Sequence, residues 1–176
     1  MKIGLFFCFI AVFAKTQGQI KAEGQNFDKK GYYAVLATGT LTAVDSELLV
    51  LDHKMPEGMS GTTSNAGSNE KQAFTGALLM KKAGLLHKPK EKLSAFRSGA
   101  TKLETALAAD SANTEYHFLR LIIQEHAPAI VHYNKNIAED CQKIYRNFKS
   151  LSPVVQKAIV DYTEHSKQLH ANQLNG

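Results

Sequence analysis

The sequence predicts an all-α fold built from antiparallel helix pairs, either an α-solenoid or a compact helical bundle. Two observations carry this. Apolar residues recur at three- and four-residue spacing through most of the chain. Proline and glycine interrupt that period at short intervals, and short connections make antiparallel neighbours.

The chain opens with "MKIGLFFCFIAVFAKTQGQ", a single Lys2 ahead of an apolar run from Ile3 to Ala14. At 12 residues the run is too short to span about 30 Å of hydrocarbon as a helix. Thr16 and Gly18 then satisfy a small-x-small cleavage rule, so residues 1–18 read as a signal peptide cut before Gln19. The expectation is an exported protein, periplasmic or secreted. Cys8 follows Phe6 and Phe7 rather than a lipobox, which argues against a lipid anchor.

Residues 19–55 are expected to form an N-terminal helical pair. One helix starts at Asn26 in "NFDKKGYYAVLAT"; the other lies in "TAVDSELLVLDHKM", with Thr42 and Asp45 as a cap and Val44, Leu48, Leu51 and Met55 as its seam. A hairpin about Asp45-Ser46 is the rival for residues 40–52. "PEGMSGTTSNAGSN", residues 56–69, reads as a flexible loop rich in Gly, Ser, Thr and Asn. Residues 70–176 then make a helical core, one domain with 19–55.

Within that core a helix runs from a Ser68 or Asn69 cap, with Phe74, Ala77, Leu78 and Leu85 on one face. Pro89 starts the next, whose seam is Leu93, Phe96, Ala100, Leu103 and Leu107. Gly99 inside it costs about 1 kcal/mol of helix propensity, which a close helix crossing would explain. "PAIVHYNKNIAEDCQKIYRNF" is one helix, or two broken at Asn134–Asn136, and Asn136 with Glu139 resembles a capping pair. Cys141 lies on its apolar stripe and reads as an inert packed thiol. The last helix, 152–169, has Ser152 as N-cap, Pro153 at its first position and Val155, Ala158, Ile159, Tyr162 and Leu169 on one face. The count is about seven helices, three pairs and a closing one.

Cleavage would remove Lys2 and Lys15 and no acid, taking 21 basic residues to 19 against 16 acidic, a net of +3. That is ordinary for a protein surface and makes no case for nucleic acid. Only Cys141 would remain, so no intramolecular disulfide is possible. About 158 residues suffice for a real core. No second apolar segment approaches membrane-spanning length.

"AFRSGATKLETALAADSANTEYHFLR" resembles the junction between two tetratricopeptide repeats. Ala106 and Leu107 match the small and large pair of the second helix, Asp110 and Asn113 the turn, and Glu115 the start of the next helix. Ser111 stands where the usual proline would be, and no 34-residue period recurs. The leader with "GALLMKKAG" and "FLRLIIQEHAP" is also similar to a group of exported proteins of Bacteroidetes-type bacteria, a likeness that implies no activity. The tetratricopeptide likeness implies stacked helix pairs and protein binding.

Catalytic signatures are missing. "GMSG" at 58–61 lacks the spacing of a nucleophile elbow, and no H-E-x-x-H, phosphate loop or paired-cysteine pattern occurs. The expectation is a non-enzymatic protein without a cofactor. His117, His126 and His132, with Glu125, are the only histidine group that a hairpin about Pro128 would bring together as metal ligands; structural or surface roles suit them better. Glu164, His165 and His170 read as solvated.

The remaining candidate is "EYHFLRLIIQEHAP", residues 115–128. On a helical wheel Tyr116, His117, Arg120 and Gln124 fall within an arc of about 100° on an otherwise apolar helix. Glu125 lies inside the apolar arc and must escape at the helix end before Pro128 or find a cationic or amide partner. The plainer reading is a central helix whose polar stripe faces a groove and whose Glu125 caps the start of a neighbouring helix. The sharper one is a groove that binds a protein or peptide partner, with Arg120 anchoring an anion or a peptide carboxylate beside His117, Gln124 and Glu125. The alternative is a small-ligand or metal-binding bundle using His117, Arg120, Glu125 and His126.

Overall fold

A computed structural model of the chain describes residues 27–54 and 65–174. Among the described residues the fold is all-α, with seven α-helices and no strand: α1 (Lys29–Thr38), α2 (Leu41–Lys54), α3 (Asn65–Leu85), α4 (Pro89–Ala109), α5 (Thr114–His126), α6 (Ile137–Asn147) and α7 (Pro153–Thr163). No helix among these residues is long and apolar enough to cross a membrane.

Helix α5 is the axis. Nine of its 13 residues are buried, so it meets neighbours on nearly every side. It packs on α3, α4 and α6. Phe118 also stands between Tyr33 of α1 and Tyr162 of α7, with ring centroids 5.8 and 5.7 Å away. Helices α1 and α7 touch each other as well. The first and last helices therefore meet around α5, which makes a compact bundle of the helix pairs and not an open stack.

The longest elements, α3 and α4, form the tightest pair. A Cβ added at Gly99 would lie 2.5 Å from the Gly76 carbonyl oxygen and 2.9 Å from the Met80 nitrogen. One added at Gly76 would lie 2.7 Å from the Gly99 oxygen and 2.8 Å from the Leu103 nitrogen. The two backbones are in contact at these glycines, which is the close crossing that Gly99 implied. An aromatic cluster of Phe27, Tyr32 and Phe74 holds α1 on α3, and the buried Tyr32 hydroxyl donates to the Phe74 carbonyl at 3.0 Å.

Several expectations need correction. Residues 41–54 are the expected helix and not its hairpin rival, but the α2 cap is Thr40, whose hydroxyl accepts from the Ala43 N–H, rather than Thr42. Helix α1 is capped by Asp28 through the Lys30 N–H; Asn26 and Met55 lie outside the described residues. Of the expected loop 56–69, residues 65–69 are already α3, so the Ser68 or Asn69 cap is overturned; 56–64 and the leader lie outside the described residues.

The segment 128–148 is not one helix. A 3-10 turn at Ala129–Val131 ends at His132 in the left-handed region (φ 50°), and α6 starts at Ile137. Asn136 and Glu139 do pair, but side chain to side chain, with no side-chain cap on the backbone. Helix α7 stops at Thr163, short of 169; Leu169 is buried all the same, in the segment that follows. Leu93 leaves the α4 seam and is 43% exposed, because α3 ends at Leu85 and offers it no partner.

Candidate functional site

The polar stripe of α5 does not line a groove. It faces α6 and α4, and the charged groups of Arg120 and His117 are engaged there. Arg120 makes a bidentate pair with Asp140 of α6: Nε donates to Oδ2 at 2.9 Å and Nη2 to Oδ1 at 2.7 Å. Nη1 donates to Glu104 of α4 at 3.1 Å. Arg120 is 7% exposed and Asp140 fully buried. Burial works against the guanidinium charge, but Asp140 and then Glu104 outweigh it and hold the arginine protonated at any working pH.

His117 completes the cluster from one turn earlier. Its Nδ1 lies 2.6 Å from Asp140 Oδ1 and its Nε2 lies 2.9 Å from the Ser111 carbonyl. Both neighbours are acceptors, so only the doubly protonated ring satisfies both. Burial pulls the His117 pKa down; the bonds to Asp140 and Ser111 pull harder, and the net shift is upward from 6.5. Two cations and two carboxylates thus tie α4, α5 and α6 together.

The loop before α6 joins in. Tyr133 donates its hydroxyl to Glu104 and sets its ring edge-on to Phe96, 5.6 Å away. Its own ionisation is driven far up, by burial first and then by Glu104. Gln124, the next stripe residue, is 3% exposed and reaches only Asn136, at 3.5 Å; its Oε1 has no partner among the described residues.

Glu125 sits apart from this group. Its Oε2 accepts from the Tyr162 hydroxyl and the Ser166 hydroxyl, both at 2.7 Å, and Oε1 accepts from the Lys167 N–H at 2.9 Å. It thus holds the end of α7 and the turn beyond it, not the start of a neighbouring helix. Glu115 plays a similar part at the other end of α5, taking Tyr33 Oη at 2.8 Å and Lys29 Nζ at 2.7 Å.

The candidate metal ligands do not come together. His117 is enclosed with both nitrogens engaged, whereas His126 is exposed and bonded to the Ile122 carbonyl, and His132 is exposed in its turn. Among the described residues no three His, Cys, Asp or Glu side chains are placed to hold a metal ion. Cys141 is buried, and burial, with Glu125 and Asp140 nearby, lifts its thiol to about 11, which keeps it un-ionised.

Asp140, Glu104 and Tyr133 escape a reading that starts from α5. Asp140 had a signal of its own: it lies three residues after Ile137 and four before Ile144, inside the apolar stripe of α6, where a carboxylate needs a cation.

The open surface lies elsewhere. Between α2 and α3 runs a groove of about 560 Å³ lined by Leu48, Leu49, Thr75 and Leu79. Two ion pairs bridge it, Lys82–Asp45 at 2.7 Å and Lys71–Asp52 at 2.9 Å. Leu49, on its rim, is 62% exposed. Compared with protein-family models, curated proteins and solved structures, the chain matches none.

Proposed function

We propose that the chain is an exported, non-enzymatic binding protein that takes a protein or peptide segment along the α2–α3 groove. The observation that carries this is Leu49, a large apolar side chain 62% exposed on a groove whose floor is also leucine. The lining positions run from 45 to 52 on α2 and from 71 to 82 on α3. That is two to three helical turns, the span of a short amphipathic helix laid against anchors at i, i+3 and i+4. Bridging ion pairs give such a segment charged edges to register on. The tetratricopeptide likeness of the α4–α5 turn favours the same class of function.

Arg120, Gln124 and His117 are structural in this reading, since their donors face inward. Export rests on the leader sequence, and a mature N-terminus at or near Gln19 is its mark; intact mass of protein from the cell envelope that retains Met1 would remove it. For binding, the test is selection of peptides from a displayed library on the full chain, followed by titration against Leu49→Asp. Selected peptides should lose most of their affinity for the variant while its melting temperature stays put. Peptides that bind both proteins alike, or no selection at all, would overturn the reading.

A further inference from the structure

The charge of the molecule is gathered at one end. Residues 81–97 hold six Lys or Arg and one acid, Glu91, a net of +5; the whole chain carries +5, so everything else nets zero. These residues form the far end of the α3–α4 pair. From His87 to Ser94 every residue is exposed, so the tip projects beyond the bundle. Its cations differ in what they meet. Lys82 pairs with Asp45, and Lys88 with Glu91 across an exposed turn. Lys90, Lys92 and Arg97 are exposed and have no ion pair among the described residues.

Apolar side chains stand among them. Leu93 is 43% exposed and Leu86 half-buried at the connection. Lys90, Leu93 and Arg97 step by three and four along α4, so one leucine is flanked by two cations on a single face. We propose that this tip docks on an anionic phospholipid bilayer, with Lys90, Lys92 and Arg97 against headgroup phosphates and Leu86 and Leu93 reaching into the interface. Cations ringing an exposed apolar end suit a charged surface with an apolar layer beneath. A nucleic acid fits less well. Residues 87–94 are all exposed and carry no aromatic ring, and Phe96, just beyond them, is turned edge-on to Tyr133 and offers no stacking platform.

The test is co-sedimentation of the full chain with vesicles of phosphatidylcholine alone or with phosphatidylglycerol added. The leader is common to every variant, so any binding of its own cancels and the readout is the increment from anionic lipid that the variants remove. Lys90→Glu/Lys92→Glu/Arg97→Glu changes only exposed side chains, and is expected to cut that increment at least about tenfold. Leu93→Ser, at constant charge, is expected to cut it about threefold. Raising salt from about 0.05 to about 0.5 M should weaken it in parallel. An anionic increment that survives the triple charge reversal overturns the proposal, as does its absence in the parent chain. Tight binding to duplex DNA without a vesicle increment overturns it in favour of nucleic acid. An unchanged Leu93→Ser increment overturns the inserted geometry.

Discussion

Arg120 and Asp140 face each other across α5 and α6 in a two-point pair, 2.9 Å from Nε to Oδ2 and 2.7 Å from Nη2 to Oδ1, with the carboxylate fully buried and the guanidinium nearly so. The pair explains how an arginine is accommodated near the midpoint of an apolar helix. Its cost of desolvation is offset by a planar fork matched to a carboxylate. Its value to the fold is less in the attraction than in what its removal leaves behind.

Arg120→Met keeps the stem of the side chain and strands Asp140 with His117 alone. A buried charge left short of its partner destabilises by about 3–5 kcal/mol. The expected result is a large drop in the denaturant midpoint with little change in slope. Arg120→Met/Asp140→Leu, which removes both charges, should recover part of the loss. A single variant as stable as the parent would mean that the guanidinium is not buried with Asp140.

His117 makes the cluster pH-dependent, and the sign follows from the direction of its shift. Its pKa is raised above 6.5 in the folded state, so its contribution is whole below pH 6.5 and is lost as pH rises through the folded value. Urea unfolding from about pH 6 to about pH 9 should show the parent losing stability relative to His117→Gln. A difference that is flat, or that grows with pH, would rule out the doubly protonated ring.

The glycines of the α3–α4 pair make a contrast within one element pair. Gly99→Ala gains about 1 kcal/mol of helix propensity but pushes a methyl into the Gly76 carbonyl and the Met80 backbone. Backbone atoms cannot step aside as a side chain end can, so overpacking of about 1–3 kcal/mol is expected to win. Gly84→Ala meets nothing within 4 Å and should stabilise by about 0.5–1 kcal/mol. Melting temperatures moving in opposite directions would establish the crossing; Gly99→Ala stabilising like Gly84→Ala would deny it.

These residues also show what was legible beforehand. Helix count, the tight pairing of α3 with α4 and the burial of α5 follow from apolar period and from glycine and proline placement, all of which are local. Partners across helices are not local. Nothing near Arg120 in sequence says that Asp140 waits 20 positions on, and α5 read alone shows a polar stripe without the helices that cover it. The surface leucines escaped for the opposite reason. Leu93 shares a helical period with the buried Leu103 and Leu107, and only the end of α3 leaves it uncovered; Leu49 stands off the Val44, Leu48 and Leu51 seam of α2, so its exposure is local but the groove beside it is not.

Glu125 offers the sharpest local test. One carboxylate takes the Tyr162 hydroxyl, the Ser166 hydroxyl and the Lys167 N–H, and Ser166 Oγ in turn accepts from the Gln168 and Leu169 N–H groups. The stretch after α7 has little regular structure of its own beyond one 3-10 turn, yet it buries Leu169 and Leu174. Its position is thus set by those two side chains, by Tyr145, whose hydroxyl meets the Gln168 carbonyl and the His170 N–H, and by Glu125. Glu125→Ala removes three acceptor contacts at once, and an unpaired group there costs about 1–3 kcal/mol. Because the loss falls on a terminal segment, it should appear as local opening before global unfolding. Amide exchange is expected to rise strongly at 166–174 while α3, α4 and α5 keep their protection. Glu125→Gln, which retains acceptor capacity, should lie between. Unchanged exchange at 166–174 in Glu125→Ala would show that the two leucines hold the segment without the carboxylate.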